Sequence, residues 1–215
     1  GSIALQMPKM KIAGGAAMKY DTEAPAFIID AWLELPKAIP LASTGLGIYG
    51  FRGLFGMRYV ASRTAQSLGL NEDSSWFDWY TAPTLGVNVD KFVTPDEMPP
   101  GTQVKNPFTI GAGVSLATLP DSGKTFSAKL MLLISIPTLI LLDGRANVLG
   151  ERVGLTDEDP PFLAFISFSP TDRSIELGIG ADYKLPKETG RILDLQAAIE
   201  AGFFFENIQF QYKNG

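Results

Sequence analysis

Apolar and polar residues alternate along most of this chain. In the clearest run, Ser174 to Leu185, one phase holds Ile175, Leu177, Ile179, Ala181, Tyr183 and Leu185, and the other holds Ser174, Glu176, Gly178, Gly180, Asp182 and Lys184. Successive side chains of a strand point to opposite faces, so this spacing predicts a strand buried on one side. The same period recurs, less purely, over Lys9 to Tyr20, Phe27 to Leu35, Gly45 to Val60, Phe108 to Thr118, Phe126 to Ile136, Thr138 to Leu149 and Phe162 to Phe168. Arg191 to Phe203 continues it, and Glu206 to Tyr212 follows in the other phase. Ile192 to Ala201 is rich in good helix formers, but its alternating apolar positions match a strand better than a helical stripe.

Turn chemistry separates these runs at Pro120-Asp121-Ser122-Gly123, Asp143-Gly144, Asp157-Glu158-Asp159-Pro160-Pro161, Pro170-Thr171-Asp172 and Pro186-Lys187-Glu188-Thr189-Gly190. Short links favour antiparallel neighbours. The predicted fold is all-β: a curved antiparallel meander of about nine or ten strands forming a sandwich, groove or open barrel, with at most one or two short helices. One long excursion, Ala61 to Pro107, breaks the rhythm and is expected to act as a lid. Structureless loops of that length are uncommon, which predicts a short helix near Ser62 to Leu70 and a strand near Thr84 to Phe92. The aromatic cluster at Trp76, Phe77, Trp79 and Tyr80 needs something to cover.

Composition narrows the chemistry. The 215 residues are 46% hydrophobic and 19% charged, which predicts a folded domain. With no Cys and no His, disulfides, thiolate or imidazole metal sites and Cys or Ser-His nucleophiles are excluded. A formal net charge of −5 argues against nucleic acid as a partner. The longest apolar run, Leu130 to Leu142, contains Pro137 and is too short for a spanning helix. Gly1-Ser2 reads as a scar of protease processing, leaving 3–215 as one β domain cut from a larger protein, whose remaining chain is an expected partner.

Individual motifs yield to plainer readings. Gly123-Lys124-Thr125 lacks the earlier glycine of a phosphate loop and reads as a hairpin turn. Asp157-Glu158-Asp159 lacks calcium-loop spacing. Asp30 with Glu34, and Glu176 with Asp182, occupy solvent-phase strand positions where acids are ordinary. No cofactor or metal is implied, and the expectation is a protein that is not an enzyme.

The distinctive stretch is Gly45 to Tyr59. As one strand it presents Tyr49, Phe51, Phe55, Met57 and Tyr59 on one face, and Leu46, Ile48, Arg52, Leu54 and Arg58 on the other. A strand apolar on both sides must be covered on both, by a second sheet, by lipid or by a ligand. Leu130 to Ile134, Leu139 to Leu142 and Phe162 to Ile166 share this property. At Gly45 to Tyr59, and from Phe126 to Tyr212, the sequence resembles portions of large β-rich bacterial proteins of uncharacterised function. In style it is also similar to the β-groove segments of bridge-like lipid-transfer proteins. That resemblance implies a curved sheet whose apolar face holds acyl chains.

The expected function is therefore a non-enzymatic structural or binding module of a larger bacterial protein, with a lipid or other hydrophobic ligand as occupant. Tyr49, Phe51, Phe55, Met57 and Tyr59 would line the pocket, Trp76, Phe77, Trp79 and Tyr80 would close it, and Arg52 and Arg58 would meet an anionic headgroup. The alternatives are a segment of an outer-membrane β-barrel, in which alternation, glycine and aromatics are all expected, and a carbohydrate-active enzyme using carboxylates, with Asp78 as its acid.

Overall fold

The computed structural model describes residues 2–7, 12–23, 25–155, 161–185 and 193–205. The strands are β1 (Ser2–Met7), β2 (Ile12–Asp21), β3 (Ala26–Pro40), β4 (Leu46–Met57), β5 (Val60–Ala61), β6 (Phe92–Val93), β7 (Phe108–Thr118), β8 (Phe126–Ile136), β9 (Leu139–Val148), β10 (Phe162–Ser169), β11 (Ser174–Leu185) and β12 (Leu193–Phe204), and one α-helix, α1, spans Trp76–Thr81. Ten strands form a single antiparallel sheet in the order β1-β2-β3-β4-β7-β8-β9-β10-β11-β12, while β5 and β6 pair separately within the excursion. Neighbours in this sheet follow chain order, with the long excursion inserted between β4 and β7. Among the described residues β1 and β12 do not pair, so the sheet is not closed.

The expected meander is therefore present, and the alternating stretch Leu193–Phe204 is a strand rather than a helix. The excursion differs from expectation. In place of a helix near Ser62 to Leu70 there is a single 3-10 turn, Gln66–Leu68, ended by Gly69 in the left-handed region. Arg63 fixes this part of the chain by donating to the Glu72 and Ser74 carbonyls at 2.8 Å each. In place of a strand near Thr84 to Phe92 there is irregular chain with a 3-10 turn at Val89–Lys91 and only Phe92–Val93 paired. The helix instead starts at Ser75, whose hydroxyl accepts from the Asp78 amide while the Asp78 carboxylate accepts from the Ser75 amide. The expected strand Glu206 to Tyr212 and the turns at Asp157 and Pro186 lie outside the described residues.

Strand register sorts the side chains sharply. One row across the sheet reads Met18, Ile29, Phe55, Ile110, Ile134, Ile140, Phe168, Ile175 and Phe203. The next on the same face reads Ala16, Ala31, Gly53, Ala112, Leu132, Leu142, Ile166, Leu177 and Ala201, and the one after it Gly14, Leu33, Phe51, Val114, Leu130, Gly144, Ala164, Ile179 and Ile199. None of these rows contains a charged residue. Asp30, Arg52, Lys129, Asp143, Arg145 and Glu176 all fall on the opposite face, which also carries Ser115, Ser127, Ser135 and Ser167. Lys37 has the apolar phase, but it sits in the bulged stretch between Glu34 and Ile39.

The excursion covers the polar face. Helix α1 and Ser75 before it contact β9 to β12, whereas residues 87–92 contact β2 to β4. Strands β2 and β12 would stand about 38 Å apart in a flat sheet. Within the excursion the two groups touch directly, through the rings of Trp79 and Phe92 at 5.8 Å and a bond from Lys91 Nζ to the Tyr80 carbonyl at 2.6 Å. The sheet thus curls round the excursion with its polar face concave. A core of Trp76, Trp79, Tyr80 and Phe92 from the excursion packs on Ile28, Leu54, Leu133, Leu139, Leu141 and Phe165 of the sheet.

Candidate functional site

The outer face is open along its whole breadth. Phe51, Phe55 and Met57 are exposed, as are Ile110, Leu130, Leu132, Leu142, Ile166, Leu177 and Ile179. Soluble monomers rarely present contiguous apolar patches beyond a few hundred Å², and this one extends over nine strands. The strands carrying it are mostly 10–12 residues long. Aromatic residues mark both margins: Tyr20, Phe27, Phe108 and Phe168 near one set of strand ends, and Phe126, Phe162 and Tyr183 near the other. Phe162 and Tyr183 stack with ring centroids 5.2 Å apart.

The inner face is filled, and its charged and polar side chains stand among the apolar core residues. The Glu176 carboxylate accepts from the backbone amides of Trp76 at 2.8 Å and Phe77 at 3.2 Å, tying the start of α1 to β11. Asp172 Oδ2 accepts from Trp76 Nε1 and from Arg63 Nε, both at 2.8 Å. Phe77 lies over Gly178, where an added Cβ would come within 2.7 Å of its ring, so the absence of a side chain there lets α1 reach the sheet. On the other side Lys19 Nζ donates to the Phe92 carbonyl at 3.0 Å.

Beneath α1 lies a buried charged cluster. The Tyr80 hydroxyl donates a very short hydrogen bond to Asp143 Oδ2 and accepts from Arg145 Nε at 2.9 Å; Arg145 Nε is also 3.3 Å from Asp143 Oδ2. Burial, reinforced by the Asp143 charge, pushes the Tyr80 hydroxyl well above its usual range, keeping it a proton donor. Lys91 is fully buried and donates to the Trp79 and Tyr80 carbonyls at 3.0 and 2.6 Å. Burial, aided by the positive charge of Arg145, lowers its ammonium to about 7. Nearby, Arg52 grips Asp30 with two parallel bonds, Nε to Oδ1 at 2.9 Å and Nη2 to Oδ2 at 2.5 Å, and Nη2 also donates to the Val87 carbonyl at 2.6 Å. A cavity of about 190 Å³ lies between these groups, lined among others by Asp30, Trp32, Arg52, Lys129, Asp143 and Arg145.

A comparison with protein-family models, with curated proteins and with solved structures finds no match to this chain. Its function has to be argued from the geometry.

That geometry separates the residues expected to form one pocket. Phe51, Phe55 and Met57 stand on the open outer face, whereas Trp76, Trp79 and Tyr80 are buried against the inner one, with Phe77 half-buried beside them. Arg52 belongs to the inner face. Tyr49, at a register shift between Ile48 and Gly50, is buried under the Arg152 guanidinium at 4.1 Å. Arg58, with φ of 57°, and buried Tyr59 lie just past the end of β4. Asp78 serves α1 as a capping residue. Sequence reasoning missed Asp143, Arg145 and Lys91. Asp143-Gly144, expected to be a turn, lies inside β9, and the signal of Asp143 and Arg145 was two charged residues in one phase directly after the apolar run Leu139 to Leu142.

Proposed function

We propose that this chain forms the wall of a transmembrane β-barrel of the outer-membrane type, apolar outside, polar inside, and plugged by its own residues 58–107. The observation that carries the reading is the sorting of side chains: consecutive uncharged rows cover one face of nine strands, while the charged residues paired in those strands lie on the other. Lipid-spanning strands need this dyad pattern, about 9–11 residues tilted across a hydrocarbon band near 25 Å, with aromatic girdles at its margins. The 11 residues of β8 rise roughly 34 Å along the strand, or about 26 Å across the membrane at a tilt near 40°. A helix is not needed for crossing, and among the described residues none is long and apolar enough to do so.

In this reading the hydrophobic partner expected from the sequence is bilayer hydrocarbon, meeting the convex side of the sheet instead of filling a groove. The inner face needs no lipid, since α1 and the charged cluster already occupy it. The role is structural, with no catalytic step. Refolding into dilauroylphosphatidylcholine vesicles tests it. A β-sheet circular-dichroism spectrum, resistance to carbonate extraction and protection of the strands from trypsin are expected. A folded, monodisperse monomer in detergent-free buffer would overturn the reading.

A further inference from the structure

We propose that the inner chamber is a binding site for a small oxyanion, a carboxylate or a phosphate, held chiefly by Arg145 with Arg52 and Lys129. Arg145 is 4% exposed. Its Nε is engaged by Tyr80 and Asp143, but among the described residues its two terminal amino groups have no hydrogen-bond partner, and they belong to a residue that lines the cavity. Arg52 presents a further free end, Nη1, because Asp30 and the Val87 carbonyl occupy only Nε and Nη2. Lys129, whose Nζ donates to the Leu155 carbonyl at 3.3 Å, lines the same space.

The Arg145 terminal amino groups are open to the cavity, and the planar guanidinium fork fits the paired oxygens of a carboxylate or phosphate. Both lining carboxylates are already charge-paired, Asp30 by Arg52 and Asp143 by Arg145, so neither is left to hold a cation. A cation is disfavoured in such company. Asp143 Oδ1 is the one buried acceptor there without a partner among the described residues, and it can receive a proton carried by the ligand, such as that of hydrogen phosphate. The cavity, about 190 Å³, exceeds the roughly 30 Å³ share of one water several-fold. Its half-exposed residues Trp32, Leu85 and Asn88 mark the way in.

This inference does not rest on the bilayer reading, because the chamber lies on the face away from the apolar rows. The full chain, folded in detergent or in buffer, is titrated with sodium phosphate, sodium acetate and sodium chloride at constant ionic strength, with tryptophan fluorescence and the thermal midpoint as readouts. A saturable response to phosphate, to acetate or to both, but not to chloride, is expected, and the preferred anion identifies the source. Arg145→Lys should weaken binding about tenfold or more by removing the fork. Should that variant not fold, Lys129→Met on the same wall should still weaken binding several-fold. No saturable response to either oxyanion, an equal response to chloride, or wild-type affinity in folded Lys129→Met would overturn the proposal.

Discussion

Placing a charge at mid-strand on the apolar face separates a lipid-facing wall from a solvated one. Leu132 is one residue from the centre of the 11-residue strand β8, is 43% exposed and points away from the core, whereas Ile136 ends the same strand on the same face. Four residues at about 3.4 Å each, tilted near 40°, put the two side chains about 10 Å apart in depth. An arginine near the bilayer midplane costs about 2–4 kcal/mol, and one near the interface about 0–1. Leu132→Arg should therefore lower the folding equilibrium constant in vesicles by about 30-fold to several hundred-fold, and Ile136→Arg by less than about 6-fold. Urea unfolding in lipid vesicles, followed by tryptophan fluorescence, measures both. On a water-facing surface neither substitution would shift stability by more than about 0.5 kcal/mol. Equal small effects at the two positions would refute the reasoning.

Three further outcomes concern the plug. Tyr80→Phe leaves Asp143 and Arg145 without the hydroxyl that bridges them and should cost about 1–3 kcal/mol in urea melts. Ser75→Ala removes the cap of α1 and the 3.2 Å bond to Glu200, for a loss of about 1 kcal/mol in the same assay. Lys91 titrates near 7 when folded and near 10.5 when unfolded, so the unfolded chain binds the extra proton between those values. Stability should therefore rise as pH goes from about 7 towards 10.5, by up to about 1.4 kcal/mol per pH unit, and this component should be missing in Lys91→Met.

The period-two pattern made the sheet legible from sequence. Phe108–Thr118, Phe126–Ile136 and Ser174–Leu185 have the expected bounds because alternation and turn residues agree there. The excursion was less legible, since tertiary bonds hold it more than local propensity does. Gly86, with φ of 96°, sits against the Arg145 guanidinium and prevents an extended run, a fact no local pattern contains. The start of α1 was readable, because Ser75-Trp76-Phe77-Asp78 is a capping box ahead of an aromatic run. Which face was open could not be read from one strand. Phe51 and Arg52 alternate equally well in a groove lined by Phe51 or in a wall that turns it outward; only the Arg52 contacts with Asp30 and Val87 fix the inside.

The absence of cysteine makes single-cysteine spin labelling a direct test of the central claim. Labels at successive positions 128–136 of β8 in the reconstituted protein should alternate. Positions 130, 132 and 134 should be relaxed by oxygen dissolved in the bilayer and shielded from a water-soluble nickel chelate, while 129, 131 and 133 should be shielded from both. Free access of the nickel chelate to 130, 132 and 134 would show the apolar face in water and contradict the account.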